Sequence, residues 1–384
     1  MDSRQPGTLS DMLRDMDTAG SSLLGGTLAL IRRGIEERLH LGAQVYVSRD
    51  GHAIADLAVG EVRSGVTLTS TDLMLWLSAT KPVTAVAVAQ LWERNLVGLD
   101  DPVMRHVPEF GTRGKERVTI RHLLTHTGGF RGAATSWGGA SWDEIIDRIC
   151  QSPLEPGWEP GRRAGYHISS SWFMLGELVR RIDRRPFDQY VREAIFLPLG
   201  MRDSWVGIPK DVFESYGHRL APMYDTQKGE WDAGSAGNNE SSNTIPRPGA
   251  NGRGPVRELA MLYEALLGGG RRGDVGILRP QTVEALAARH RAGMYDQTFR
   301  HVMDWGLGFI PNNFYHGEDV PYGYGPHASP RTFGHSGSQS SVAFADPEHR
   351  LVVAIAFNGM PGEKRHHERM RAVLAALYED LGLA

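Results

Sequence analysis

The segment Ser341–Asn358, SVAFADPEHRLVVAIAFN, holds two apolar runs of strand length. The D-P-E-H turn between them predicts an antiparallel pair over about 341–346 and 350–358. Ala43–Gly51 and His52–Gly60, AQVYVSRDG and HAIADLAVG, read as two more strands. Helical periodicity brackets all four, near Leu24–Leu39 before them and near Arg365–Leu381 after. In the middle, Pro82–Val97 is apolar around most of its circumference until Glu93, the pattern of a helix buried on all sides. Antiparallel strands covered by terminal helices predict an α/β fold assembled from both chain ends. That domain takes residues 1–78 and 301–384, with an inserted, mainly helical domain at 79–300 and a cleft between them.

Chemistry enters where the buried helix begins. Ser78-Ala79-Thr80-Lys81 spells S-x-x-K, and only five lysines occur in the whole chain. A serine hydroxyl needs a base to act as a nucleophile near neutral pH, and a residue three positions later on a helix shares its face. Pro82 fits a first turn, where its missing N–H is no loss. Ser78 is thereby expected at a helix N-terminus, which favours a developing oxyanion, and Lys81 in a poorly hydrated place, which lowers an ammonium pKa.

Two further segments add groups. Tyr166 precedes three serines able to cap a helix that carries Trp172, Leu175, Leu178 and Val179. Gly334-His335-Ser336-Gly337 leads into the 341–346 strand, with glycines that let backbone approach a ligand. In this order and at these separations the motifs resemble the serine β-lactamase and penicillin-binding-protein superfamily. The resemblance is to its branch of class C β-lactamases, D-alanyl-D-alanine carboxypeptidases, D-aminopeptidases and family VIII esterases. LDDPV at Leu99–Val103, VTIRHLLTHTGGF at Val118–Phe130, LPLGM at Leu197–Met201 and WGLGF at Trp305–Phe309 resemble that branch too.

The resemblance implies an acyl-enzyme. Ser78 would be the acylated nucleophile, Lys81 its proton acceptor and Tyr166 the phenol that shuttles the proton. The backbone N–H groups of Ser78 and Ser338 would form the oxyanion hole. His335-Ser336-Gly337 stands where many relatives have K-T-G. One departure bears on substrate: the usual Y-x-N motif reads Tyr166-His167-Ile168 here. Ile168 offers no donor to an amide carbonyl, which shifts the expectation from peptides and β-lactams towards an ester or thioester. The expected function is an esterase-like hydrolase on a small-molecule acyl donor. The alternative is a transacylase passing the acyl group to an amine or alcohol, followed by peptidase or β-lactamase, then an inactive binding homologue.

Composition fits a soluble enzyme and removes other classes. A formal net charge of −3 over 384 residues offers nothing to nucleic acid or a membrane surface, and no stretch is long enough to span a bilayer. The N-terminal segment MDSRQPGTLSDML lacks a basic region followed by an apolar core, so a cytoplasmic location is expected. The oligomeric state is left open. Cys150 is the single cysteine and reads as a packed small hydrophobe. No cofactor or metal is expected. His122 and His126 lack the glutamate of H-E-x-x-H and read as core or capping residues, and His366-His367 as a solvated helix face. No G-x-S-x-G occurs, which removes the main signature of an α/β-hydrolase. Of two long loops, 224–254 is rich in Gly, Asn, Ser and Pro, a composition that leaves order and disorder both open. The other, 311–331, is expected either to roof the acyl pocket, with Tyr322 and Tyr324 as apolar walls, or to pack against the helical domain.

Overall fold

The computed structural model describes residues 20–135, 139–234 and 237–384. Helix α1, Gly25–Glu36, is followed by strands β1 (Gly42–Arg49), β2 (His52–Arg63), β3 (Val66–Thr67) and β4 (Met74–Leu77). Helix α2 (Lys81–Glu93) comes next, then helix α3 (Ser170–Asp183) and the short strands β5 (Trp205–Val206) and β6 (Gly252–Gly254). Helix α4 (Val256–Leu267) precedes β7 (Ile310–Pro311), β8 (Phe333–Gly337), β9 (Ser341–Asp346) and β10 (Leu351–Phe357), and α5 (Glu363–Asp380) follows. Seven strands form one antiparallel sheet in the order β7-β8-β9-β10-β1-β2-β3, so β1, from the start of the chain, pairs with β10, from its end.

Both faces of this sheet are covered, and the side chains alternate by size. Val45, Val47, Phe344, Val353 and Ile355 point to the layer of α1 and α5, together with Leu28, Ile31, Leu374 and Leu377. Tyr46, Ala343, Ala345, Val352, Ala354 and Ala356 share the opposite core with α4 and the helices beyond it. Small side chains there let α4 pack on β1, β9 and β10. Helix α4 thus lies against the sheet, although its residues fall within the stretch expected to be the helical domain. The terminal helices are tied together by Asp380, whose carboxylate accepts from Gly26 N–H, Thr27 N–H and the Thr27 hydroxyl. A carboxylate there satisfies orphan N–H groups and the positive end of α1.

Helix α2 is buried from Lys81 to Ala89, as its apolar circumference predicts. Strands β4, β6 and β5 form a separate three-stranded sheet that leads into it. A Cβ on Gly252 would lie 2.6 Å from the Trp76 ring and 2.5 Å from Thr80 Oγ1, so only glycine lets β6 run this close to the turn holding Ser78. Segment 224–254, whose order the sequence leaves open, carries local structure. Asn239 caps the helix Glu240–Thr244 and the Asn251 amide donates to Ser242 O and Ile245 O. Among the described residues no helix is long and apolar enough to cross a membrane. The segment 1–19, on which the expected location rests, lies outside them.

Candidate active site

Ser78 opens a single 3-10 turn, Ser78–Thr80, that runs straight into α2. Leu77 before it holds φ at 50°, a left-handed conformation that a branched side chain adopts only when its surroundings impose it. The fastening is visible: the Thr80 hydroxyl donates to Leu77 O (2.6 Å) and accepts from Gly252 N–H (2.8 Å). The bend thus presents the Ser78 side chain beside Lys81.

Lys81 is buried, and its Nζ has three partners. It lies 2.8 Å from Ser78 Oγ and donates to Ile168 O (3.0 Å) and Gly249 O (2.8 Å). A neutral amine has two N–H groups and one lone pair, which matches two carbonyls and one hydroxyl donor. Burial pushes the ammonium pKa well below its ordinary value, and no carboxylate counters that shift.

The Tyr166 hydroxyl lies close to Ser78, and burial raises its pKa, so it is a neutral phenol at physiological pH. Its ring is held by His126, Phe299 and Trp305, with centroids 4.5, 4.8 and 5.6 Å away. Its backbone N–H donates to the buried carboxylate of Asp296, and its carbonyl accepts from the Thr298 hydroxyl. His167 N–H donates to His126 Nδ1, and the His167 ring spans Gly165 O and Phe130 N–H. Burial lowers the pKa of His126 far below normal and that of His167 to about 4, so both rings are neutral packing groups. The core reading of His126 holds, and His122 takes the capping role at Thr119.

His335, Ser336 and Gly337 lie on strand β8 itself and do not merely lead into a strand, because they pair with β9. A Cβ on Gly337 would fall 2.3 Å from both Trp76 O and Ser341 Oγ, so glycine seats β8 directly against the backbone preceding Ser78. Ser338 follows in the turn. Neither Ser78 N–H nor Ser338 N–H donates to a protein acceptor among the described residues. His335 is buried near Tyr166, and burial together with nearby Lys81 lowers its pKa to about 3, so it is neutral at physiological pH.

Other expected residues fall elsewhere. The Ile168 side chain is 63% exposed at the mouth of the site, while its carbonyl serves Lys81. Tyr322 stands at the edge: its hydroxyl donates to Glu363 (2.6 Å) and its ring meets Phe299. Tyr324 is no pocket wall. It is fully buried against Phe344 and donates to Ile310 O, so it belongs to the core under the sheet. His366 is likewise no solvated residue; it is buried beside Arg369 because α5 turns that face inward. The three serines cap nothing with their side chains: Ser169 makes no capping bond, and Ser170 and Ser171 are buried within α3. Cys150 is buried, and burial raises its thiol pKa to about 11.

Sequence reasoning missed the two carbonyls that grip Lys81. Nothing local in Pro248-Gly249 says that this stretch reaches α2; the Thr84 hydroxyl ties it there by donating to Pro248 O.

A nucleophile at a helix start, a dehydrated amine and a phenol converge beside a sheet edge that carries free N–H groups. Fold and site together define a serine enzyme of the hydrolase or acyltransferase class. The Beta-lactamase family model matches residues 29–378, and the chain belongs to that family. It is 25% identical over 346 residues to the esterase/beta-lactamase LipL of Mycobacterium tuberculosis (strain ATCC 25618 / H37Rv), covering 83% of this chain and 77% of that protein. Identity to esterase EstB of Burkholderia gladioli is 28% over 338 residues, covering 76% and 80%. A solved family VIII carboxylesterase superposes with a TM-score of 0.77 at 26% identity, over 93% of this chain and 97% of that one.

Proposed function

We propose that this chain is an esterase that takes the acyl group of a small-molecule ester or thioester onto Ser78 and passes it to water. As Ser78 Oγ attacks the carbonyl carbon, its proton goes to the Lys81 lone pair. The oxyanion sits between the N–H groups of Ser78 and Ser338. The carbon–oxygen bond to the alcohol breaks, the Tyr166 hydroxyl protonates the departing alkoxide, and Lys81 returns the proton to Tyr166. Water then repeats the sequence on acyl-Ser78 and releases the acid.

The observation that carries this reading is the partner set of Lys81 Nζ: two carbonyls and Ser78 Oγ at 2.8 Å, away from solvent. Ile168 in place of an amide donor supports esters over amides. The names borne by LipL, EstB and the family VIII carboxylesterase agree. Treatment with a fluorophosphonate should add one adduct by intact mass, mapped to Ser78. Labelling that persists in Ser78→Ala overturns the assignment.

Transfer to an alcohol or amine draws support from Ile168, whose carbonyl holds Lys81 and whose apolar side chain is exposed. An organic acceptor resting there would displace water. Supplying a p-nitrophenyl ester with a panel of alcohols and amines decides between the two: new ester or amide in place of acid selects transfer, and acid alone selects hydrolysis.

A further inference from the structure

The charges around the site are unequal, and the inequality is concentrated at Glu363. This residue opens α5, and its carboxylate accepts from the Tyr322 hydroxyl (2.6 Å) and from the Ser338 hydroxyl (3.3 Å). Ser338 directly follows Gly337, which is seated against the backbone preceding Ser78, so Glu363 stands one side chain from the strand end that borders the nucleophile. Among the described residues no lysine or arginine nitrogen lies within 4.0 Å of it; its one basic neighbour is His367, at 3.6 Å. Burial lowers the His367 pKa, which leaves that ring neutral at physiological pH. The start of an 18-residue helix stabilises the anion in place.

Arg369, the buried cation on the same helix, spends its N–H groups on the carbonyls of Leu39, Gln339 and Gly359. His335 and His126 are neutral, and a Lys81 that serves as base is neutral as well. A cavity of about 390 Å³ reaches the same corner, bounded by Ser336 and Tyr322. Its wall has three carboxylates, Glu318, Asp319 and Glu368, against two cations, Lys364 and Arg371, and Arg371 is already paired with Glu318.

We propose that Glu363 is a charge selector for the Ser78 site, disfavouring acyl donors that carry a carboxylate near the reacting carbonyl and favouring neutral or cationic ones. The inference rests on the esterase reading and narrows its substrate class. It also gives a second reason, separate from Ile168, for β-lactams and C-terminal peptides to be poor substrates, since both carry a carboxylate.

The test is a matched series of p-nitrophenyl esters: hexanoate, the adipate monoester and 6-(trimethylammonio)hexanoate. In the wild-type protein kcat/KM for the anionic ester should fall about fivefold to tenfold below the neutral one, the size expected of a half-exposed charge. The cationic ester should match or exceed the neutral one, and raising the salt concentration should shrink both differences. Glu363→Gln keeps an acceptor for Tyr322 and should bring the anionic-to-neutral ratio close to one, mainly through KM; Glu363→Lys should invert it. Ser78→Ala serves as control. Turnover that survives in it removes the esterase reading and the selector with it. Turnover that depends on Ser78, with a ratio unmoved in both Glu363 variants, removes the selector alone.

Discussion

Replacing Tyr166 by phenylalanine separates chemistry from architecture. The ring is fixed by His126, Phe299 and Trp305, and those contacts survive the change. What is lost is one buried hydroxyl beside Ser78. A neutral hydrogen bond contributes about 1 kcal/mol net, and losing a buried hydroxyl also removes its desolvation cost, so stability should change by less than about 1 kcal/mol. For a chain this long that is a shift of roughly 1–2 °C in Tm. Catalysis should respond on another scale. A positioned acid–base group contributes about 10² to 10⁴ in rate, equivalent to roughly 3–5 kcal/mol on the barrier. Stopped-flow release of p-nitrophenol from the butyrate ester would divide that loss between acylation and deacylation, and both steps should slow because the same phenol serves both. Retention of more than about a tenth of wild-type kcat/KM would show that the phenol is outside the proton path. A loss of more than about 5 °C in Tm would show that the hydroxyl is structural.

Nitrocefin should be hydrolysed at least about a hundredfold more slowly than the best ester, since Ile168 cannot pair an amide, and Ile168→Asn should raise that rate; rates comparable with the ester's would contradict this. Gly337→Ala drives a methyl group into Trp76 O and Ser341 Oγ and should displace Ser338, lowering kcat by about a hundredfold while circular dichroism stays native; undiminished turnover would show that β8 need not touch the nucleophile's backbone. Because burial lowers the Lys81 pKa, kcat/KM should rise with pH through that lowered value. The folded state there has released a proton that the unfolded chain keeps, so stability should also rise with pH from the lowered pKa up to the ordinary lysine range. Thermal melts of Lys81→Met across pH should lack this contribution.

The groups written close together in sequence were the legible ones. Ser78 and Lys81 are three residues apart at the head of an apolar run, and the burial of Lys81 follows from that local pattern, whereas the bend at Leu77 depends on Gly252 far along the chain. The β9–β10 pair was equally plain, since a turn and two apolar runs define it. Tyr324 and His366 were misjudged because a histidine or tyrosine among polar neighbours looks exposed until the element that covers it is known. For Tyr324 that cover is β7 and β9, and for His366 it is the inward face of α5. The carbonyls of Ile168 and Gly249 could not be read at all: every residue has a carbonyl, and only the folded path brings two of them to Lys81. Glu363 belongs to the same group, one glutamate among many until α5 places it against Ser338.

The pairing of β1 with β10 also sets the order in which the molecule can be made. Gly42–Arg49 leaves the ribosome early and must wait for Leu351–Phe357 before its open edge is closed, a separation that makes assembly of the sheet slow and leaves that edge available to chaperones or to other nascent chains. During that wait the chain already carries Ser78 and Lys81 but lacks β8, the strand that lies against them. A polypeptide released early by a truncating mutation would therefore hold its nucleophile without the strand beside it, and the cell would meet a sticky, inert fragment instead of an uncontrolled hydrolase.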